Sequence, residues 1–493
     1  MSFSLEDRLH GLLSTYMAAP QWLKASAGTV YRQLPVAWRR GRAYGSFRAM
    51  LAQRSPDAVQ AYANDRLAAT LRWAVQRVPA YTHLREAVLG EPDPRRALQN
   101  FKPVAKADIK ADTERFLATG VPAARRLPTF TGGSTAEPMR FHLERDVSRP
   151  REYAFMDDFH ARLGFAESDL VLALRGRTVA TAERPGGRLW MLEPIKRQLI
   201  LSSDHLDARW MPQYLAVLRR YRPRFIQAFP SALYPLARWL ADHPEPDITR
   251  SVRGVMLYSE NVYAYQLRLF REVFGAPVLV HYGHSERVLM AASMPDDERM
   301  FVWPQYGHVE LLDEQGRCID RPGVVGELVG TAFDNTVMPF VRYRIGDMAM
   351  WSAGAGHPAL PGYPVLERIE GRLQEFVVCR DDRLVSICTL GAAHFEQLAG
   401  VDAIQYVQDV PGKVQLQVVS ARRLGSDEAA RIARAIEEKT QHGCQAEVVQ
   451  VDSIERTARG KHVMLRRGPG MAAWEAARQR PAEQARYTPE GQA

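Results

Sequence analysis

The sequence predicts an α/β fold, with helix-covered sheets in a large N-terminal part and a small α+β C-terminal domain. Three observations carry this. Across residues 121–370 short apolar runs alternate with stretches of helical spacing, the texture of sheets covered on both faces. Beyond Gly371 the texture changes to alternating strands around one amphipathic helix. The chain's 493 residues, 46% hydrophobic and 25% charged, supply ample core for several globular domains.

Taken in order, residues 1–120 read as the helical N-terminal part of the large domain. Ala58–Ala80 carries apolar positions at helical spacing and stops near Pro79. Asp169–Leu174 has the look of a buried strand, Met211–Tyr221 and Pro230–Leu240 of helices, and Pro277–Tyr282 of a strand ending at Gly283. In the small domain, 376–468, strands are expected at Phe376–Val378, Val414–Val419 and Glu447–Val451, with a helix over Asp427–Lys439. Residues 469–493 are polar and read as a disordered tail.

No apolar run approaches the roughly 20 residues needed to span a bilayer. The N-terminus lacks a basic-then-apolar signal layout, so a cytoplasmic protein is expected. The cysteines Cys318, Cys379, Cys388 and Cys444 contain no CxxC pair, which argues against a zinc site or disulfide framework and for buried free thiols. The net charge is +9, with local basic segments such as Trp38-Arg39-Arg40-Gly41-Arg42. A solvated face, an anionic small substrate and weak peripheral contact with an acidic membrane all fit that charge. Nucleic acid is not expected as a partner, because no basic run interleaves with aromatics.

Thr129-Phe130-Thr131-Gly132-Gly133-Ser134-Thr135-Ala136-Glu137-Pro138 could be a plain flexible loop or a phosphate cradle of backbone N–H groups and hydroxyls. Alone it decides nothing. Further segments follow in chain order: His281-Tyr282-Gly283-His284-Ser285-Glu286 at a strand end, then GELVGT from Gly326 and MPFVRYRIGD ending at Asp347. Glu370-Gly371-Arg372-Leu373-Gln374-Glu375 then falls at the boundary between the large and small parts, and Arg456-Thr457-Ala458-Arg459-Gly460-Lys461 near the end of the small one.

In this order and at these distances the segments resemble the adenylate-forming superfamily of acyl-CoA synthetases and adenylation domains, over residues 100–467. Phe229-Pro230-Ser231 and the wording of the GELVGT and RYRIGD segments are similar to the phenylacetate–CoA ligase-like and capsule-biosynthesis-type branch. The resemblance implies an adenylation core over 121–370, a hinge over 371–375 and a mobile small domain. It implies an AMP-forming ligase that uses ATP and Mg²⁺ to turn a small carboxylic acid into an acyl-adenylate. Transfer to a thiol follows, coenzyme A being the plain expectation as co-substrate. An amine or a separate carrier protein in cell-envelope, polysaccharide or secondary metabolism is the alternative acceptor. A catalytically impaired nucleotide-binding homologue is the alternative of another class.

By the same resemblance Thr131, Gly133, Ser134 and Thr135 would hold the β/γ-phosphates, and Glu286 would hold Mg²⁺. Tyr282, with Gly283 and Ser285, would face the adenine. Asp347 would accept from the ribose hydroxyls, Arg372 would reach ribose or phosphate, and Lys461 would neutralise charge between carboxylate and α-phosphate. Ala136, Glu137 and Gln374 depart from the common glycine, lysine and aspartate or lysine; Gln374 is the expected pivot. His281 and His284 flank the expected carboxylate pocket and read as structural rather than catalytic.

Overall fold

The computed structural model describes residues 15–16, 19–130, 139–175, 188–203, 206, 208–262, 264–372, 376–381, 384–387, 390, 401, 403–440, 442–455 and 463–478. These residues form two compact units that change over between Ile369 and Glu370.

The larger unit begins with α1 (Gln21–Gln33), α2 (Val36–Arg40), α3 (Arg42–Leu51) and α4 (Pro56–Arg77). Ser55 caps α4: its hydroxyl accepts from the Ala58 N–H at 3.3 Å, with Pro56 at the first helical position. The helix stops at Arg77, short of the predicted Ala80, because Pro79 disfavours helical dihedrals in the residue before it and opens a 3-10 turn, Pro79–Leu84. Next, β1 (Arg126–Phe130) and β2 (Arg140–Glu144) pair antiparallel, with Phe130 opposite Arg140. The predicted phosphate segment, 131–138, thus connects a β-hairpin.

The rest of this unit is built on α5 (Ser148–Ala161), β3 (Val171–Leu174), β4 (Trp190–Glu193), β5 (Gln198–Leu201), α6 (Met211–Tyr221), β6 (Phe225–Ala228) and α7 (Pro230–Asp242). It continues with β7 (Gly254–Tyr258), α8 (Ala264–Phe274), β8 (Val278–Gly283), β9 (Met290–Met294), β10 (Asp297–Val302), β11 (Gly307–Leu312), β12 (Val325–Ala332), β13 (Tyr343–Trp351) and β14 (Val365–Arg372). Strands β3 to β14 form one 12-stranded sheet in the order β11-β12-β13-β14-β10-β9-β8-β7-β6-β3-β5-β4. Its middle, β5-β3-β6-β7-β8, is parallel, and β9 pairs antiparallel with β8.

Alternation along the parallel strands sorts their side chains into two cores. Ile226, Val255, Leu257 and Val278 pack with α6, α7 and α8 through Leu218, Leu236 and Phe270. Phe225, Met256, Tyr258 and Leu279 face the other way and pack with α3 and α5 through Leu51, Phe155 and Phe159. Burial on both faces explains why these strands read as continuous apolar runs.

The smaller unit contains β15 (Phe376–Val378), β16 (Leu384–Ser386), β17 (Ala403–Gln408), β18 (Lys413–Val419), α9 (Ser426–Lys439), β19 (Gln445–Gln450), β20 (Leu465–Arg467) and α10 (Pro469–Arg478). A four-stranded sheet, β19-β18-β17-β20, packs Ile404, Leu416 and Val418 against Ile432 and Ile436 of α9. The segment expected to begin a disordered tail is instead helical over Pro469–Arg478. It is pinned by the Gly468 N–H on the Gln408 carbonyl at 2.9 Å and by the fully buried Met471. The expectation of buried thiols holds for Cys379 and Cys444 but not for Cys318, which is exposed on the turn after β11. Cys388 lies outside the described residues.

Candidate active site

Parallel strands direct their loops to one edge, and in open α/β sheets ligands bind beyond the carboxyl ends of those strands. Tyr258 ends β7 and pairs with His281 on β8, whose last residues are Tyr282 and Gly283. The chain then turns through His284, Ser285 and Glu286, closed by the Arg287 N–H on the His284 carbonyl at 3.1 Å. Arg287 takes a left-handed φ of 56° and ties the turn to α5 by donating to the Ser148 carbonyl and pairing with Glu152 at 3.5 Å. Val288 follows, against Gly330 of GELVGT. A Cβ on Gly330 would lie 2.5 Å from the Val288 side chain, so the missing side chain seats the turn.

The turn meets β13 through two pairs of side chains. The Tyr282 hydroxyl donates to Asp347 Oδ2. The Tyr343 hydroxyl donates to Glu286 Oε1 at 2.9 Å, and His284 Nδ1 lies 3.2 Å from Glu286 Oε2. In sheet order β14, β10 and β9 stand between β8 and β13, so these contacts show the antiparallel half curling back over the strand ends. Tyr343 is itself held: the Arg344 N–H donates to the Val104 carbonyl and the Val104 N–H to the Arg342 carbonyl, both at 2.9 Å.

Asp347 owes its direction to an irregularity in β13. Glu327 pairs with Met348 but Val329 with Arg344, so β13 carries extra residues at Ile345–Asp347. Gly346, within the bulge, has a φ of 84° with nothing near its missing Cβ, so conformation rather than space requires glycine there.

Burial works to raise the Glu286 pKa. The His284 hydrogen bond and charge, then the backbone and Tyr343 hydrogen bonds, outweigh it and hold the carboxyl at about 2. Glu286 is therefore a fixed anion at neutral pH. Burial, opposed by Glu152 and aided by Arg162, lowers His281 to about 4; with His281 and Arg175 beside it, buried His160 falls to about 3. Both rings are neutral. His281 Nε2 and His284 Nε2 are out of solvent and without a hydrogen-bond partner among the described residues.

Of the residues expected from sequence, Tyr282, Gly283, Ser285, Glu286 and Asp347 are gathered at this strand edge. Arg372 ends β14. Thr131, Gly133, Ser134, Thr135, Gln374 and Lys461 lie outside the described residues. Sequence reasoning gave no role to Tyr343 or to the His284–Glu286 contact, although the quoted segments contain all three. Tyr343 lies four residues before Asp347 on one strand, but the irregular register between them leaves no periodic signal that would have joined the two.

Comparison with solved structures places this architecture. A 2-hydroxyisobutyryl-CoA ligase in the postadenylation state, in complex with R3-HIB-AMP, is 18% identical over 91% of this chain and 96% of its own, with a TM-score of 0.63. The same ligase in complex with 2-HIB-AMP and CoA, in the thioesterification state, covers 87% of this chain and 93% of its own at a TM-score of 0.50. The fold is that of the adenylate-forming acyl-CoA ligases. Among curated proteins, protein CapK of Staphylococcus aureus is 22% identical over 295 residues, a match that takes in 59% of this chain and 62% of CapK. No family model matches the chain.

Proposed function

We propose that the protein activates a small carboxylic acid with ATP as an acyl-adenylate and passes the acyl group to a thiol, coenzyme A, with release of AMP. The observation that carries this is the meeting of the Tyr282-to-Glu286 turn with β13, through Tyr282–Asp347 and Tyr343–Glu286, at the carboxyl edge of a parallel sheet. The fold shared with ligases solved in complex with acyl-AMP supports it.

In this reading Tyr282 flanks the adenine, its hydroxyl fixed by Asp347. Asp347 accepts from the ribose, as a carboxylate can take more than one donor. Thr131, Gly133, Ser134 and Thr135 supply donors to the β/γ-phosphates, and Arg372 and Lys461 bring positive charge to ribose and α-phosphate. Mg²⁺ fits Glu286: a hard cation that keeps its waters needs one or two ionised carboxylates beside the nucleotide phosphates, and Glu286 is ionised and oriented from both oxygens. Bound there, the ion would offset phosphate charge. Lys461 would stabilise charge that grows between the acid and the α-phosphate, a contribution on the order of 3 kcal/mol in a water-poor site.

Carboxylate-dependent ATP–pyrophosphate exchange with Mg²⁺, across aryl, fatty, hydroxy and amino acids, tests the reading. Exchange with one acid class, lost in Lys461→Ala, is the expected result. Measurable ATP binding with no exchange for any acid, including acids extracted from the native cell, would turn the reading to an impaired nucleotide-binding homologue.

A further inference from the structure

One feature of the chain stands apart from this chemistry. Between Asp7 and Asp57 there is no acidic residue, while eight Lys or Arg fall in the same stretch. Three of these arginines are internally paired: Arg39 with Glu167, Arg40 with Asp157 and Arg54 with Asp158. Arg32, Arg42 and Arg48 have no ion pair among the described residues, and Arg32 and Arg42 are exposed.

The same stretch exposes large apolar side chains. Trp22 is 71% exposed, Val30 60% and Trp38 61%, with Leu23 and Val36 also above 40%. Half of the large exposed apolar side chains among the described residues are these five. They do not face the core. Helix α1 is anchored by its opposite side, which carries the buried Lys24 and Gly28, Gly28 lying against Pro194 in the turn after β4. The Gln21 amide and Arg32 guanidinium add hydrogen bonds to the Leu192 and Pro194 carbonyls, at 3.2 and 2.5 Å. At 100° per residue Trp22, Leu23 and Val30 share the outward face, roughly 20 Å long. Val36 and Trp38 are exposed on α2, the next helix.

We infer that α1 and α2 form a docking surface for an anionic lipid bilayer, with Trp22 and Trp38 seated at headgroup level and Arg42 and Arg48 facing acidic headgroups. Indole rings favour the bilayer interface, and arginines that carry no acidic partner complement a negative leaflet. No helix among the described residues is long and apolar enough to cross a membrane, and the proposed contact is with the surface.

Co-sedimentation of the full chain with vesicles tests this, comparing phosphatidylcholine alone with phosphatidylcholine carrying about one-third phosphatidylglycerol. Binding is expected only with the anionic vesicles, falling at least tenfold at about 0.5 M salt, where the screening length drops to about 4 Å. Trp22→Ala/Trp38→Ala and, separately, Arg42→Glu should each weaken it at least fivefold, with the melting temperature unchanged. If the double variant fails to fold, Arg42→Glu and the salt series still decide. Absent binding at low salt, or binding indifferent to lipid charge and to both variants, would overturn the inference. Self-association abolished by the tryptophan substitutions, without vesicle binding, would also overturn it and give the surface to a second copy.

Discussion

Glu286 meets a side-chain partner at each carboxylate oxygen, Tyr343 at Oε1 and His284 at Oε2, and its chemistry follows from that pair. Glu286→Gln keeps the size but removes the charge. ATP–pyrophosphate exchange should fall on the order of 100-fold with the far-UV spectrum unchanged, the scale of losing one electrostatic contact to the transition state. Tyr343→Phe removes only a donor, so Tyr343 acts as a positioning residue. A Mg²⁺ titration should show a several-fold higher half-saturating concentration and a smaller change in maximal rate. At the same scale, His160 and His281 are neutral in the fold, whereas unfolded imidazoles take a proton near pH 6.5. Their contribution to stability is complete above that pH and is lost as pH falls from 6.5 towards 3–4, by up to about 1.4 kcal/mol per unit for each ring. Denaturant melts between pH 7 and pH 4.5 should show the decline, and His160→Gln should flatten it.

Among the elements, the bulge of β13 has the most to say about the site. Gly346→Ala would force an alanine to a φ of 84° at a cost of about 1–2 kcal/mol, or straighten the strand and turn Asp347 away from Tyr282. The variant should melt several degrees lower and bind ATP more weakly by calorimetry; unchanged affinity would separate Asp347 from the nucleotide. The contrast between this strand and its neighbours shows what was legible in the sequence. Helices α6 and α9 and strands β8 and β18 follow from local periodicity, and their observed limits lie within a residue of those expected. Tyr282, Glu286 and Asp347 could be nominated because short motifs bear them. The Tyr343–Glu286 contact spans 57 residues of chain and depends on a curled sheet and an irregular register, neither of which leaves a periodic trace. The α10 helix was hidden for a related reason: its polar, alanine-rich sequence resembles a tail, and what fixes it is a tertiary contact.

For the molecule as a whole, the cores of the two units are kept apart in sequence. Val377, Ile404, Leu416 and Ile436 form a core of the smaller unit, while the cores of the larger unit draw on residues before 370. Residues that each pack within their own unit are compatible with the pivot expected at Gln374. Gln374→Pro would restrict that pivot. Exchange of pyrophosphate should survive, and thioester formation, followed by thiol consumption, should fall at least tenfold. Equal loss of both activities would argue against a pivot at this position.

The two interleaved rows of side chains on β6, β7 and β8 also constrain how this gene can change length. Deleting a single codon within β8 would exchange the rows, sending Leu279 towards α7 and turning His281 away from Tyr258. Insertions there are barred for the same reason. The connection between Phe130 and Arg140 shifts no ladder when it lengthens or shortens, because it opens at the end of a two-stranded pair. Codon gains and losses should therefore accumulate between Phe130 and Arg140 and be absent from the parallel strands.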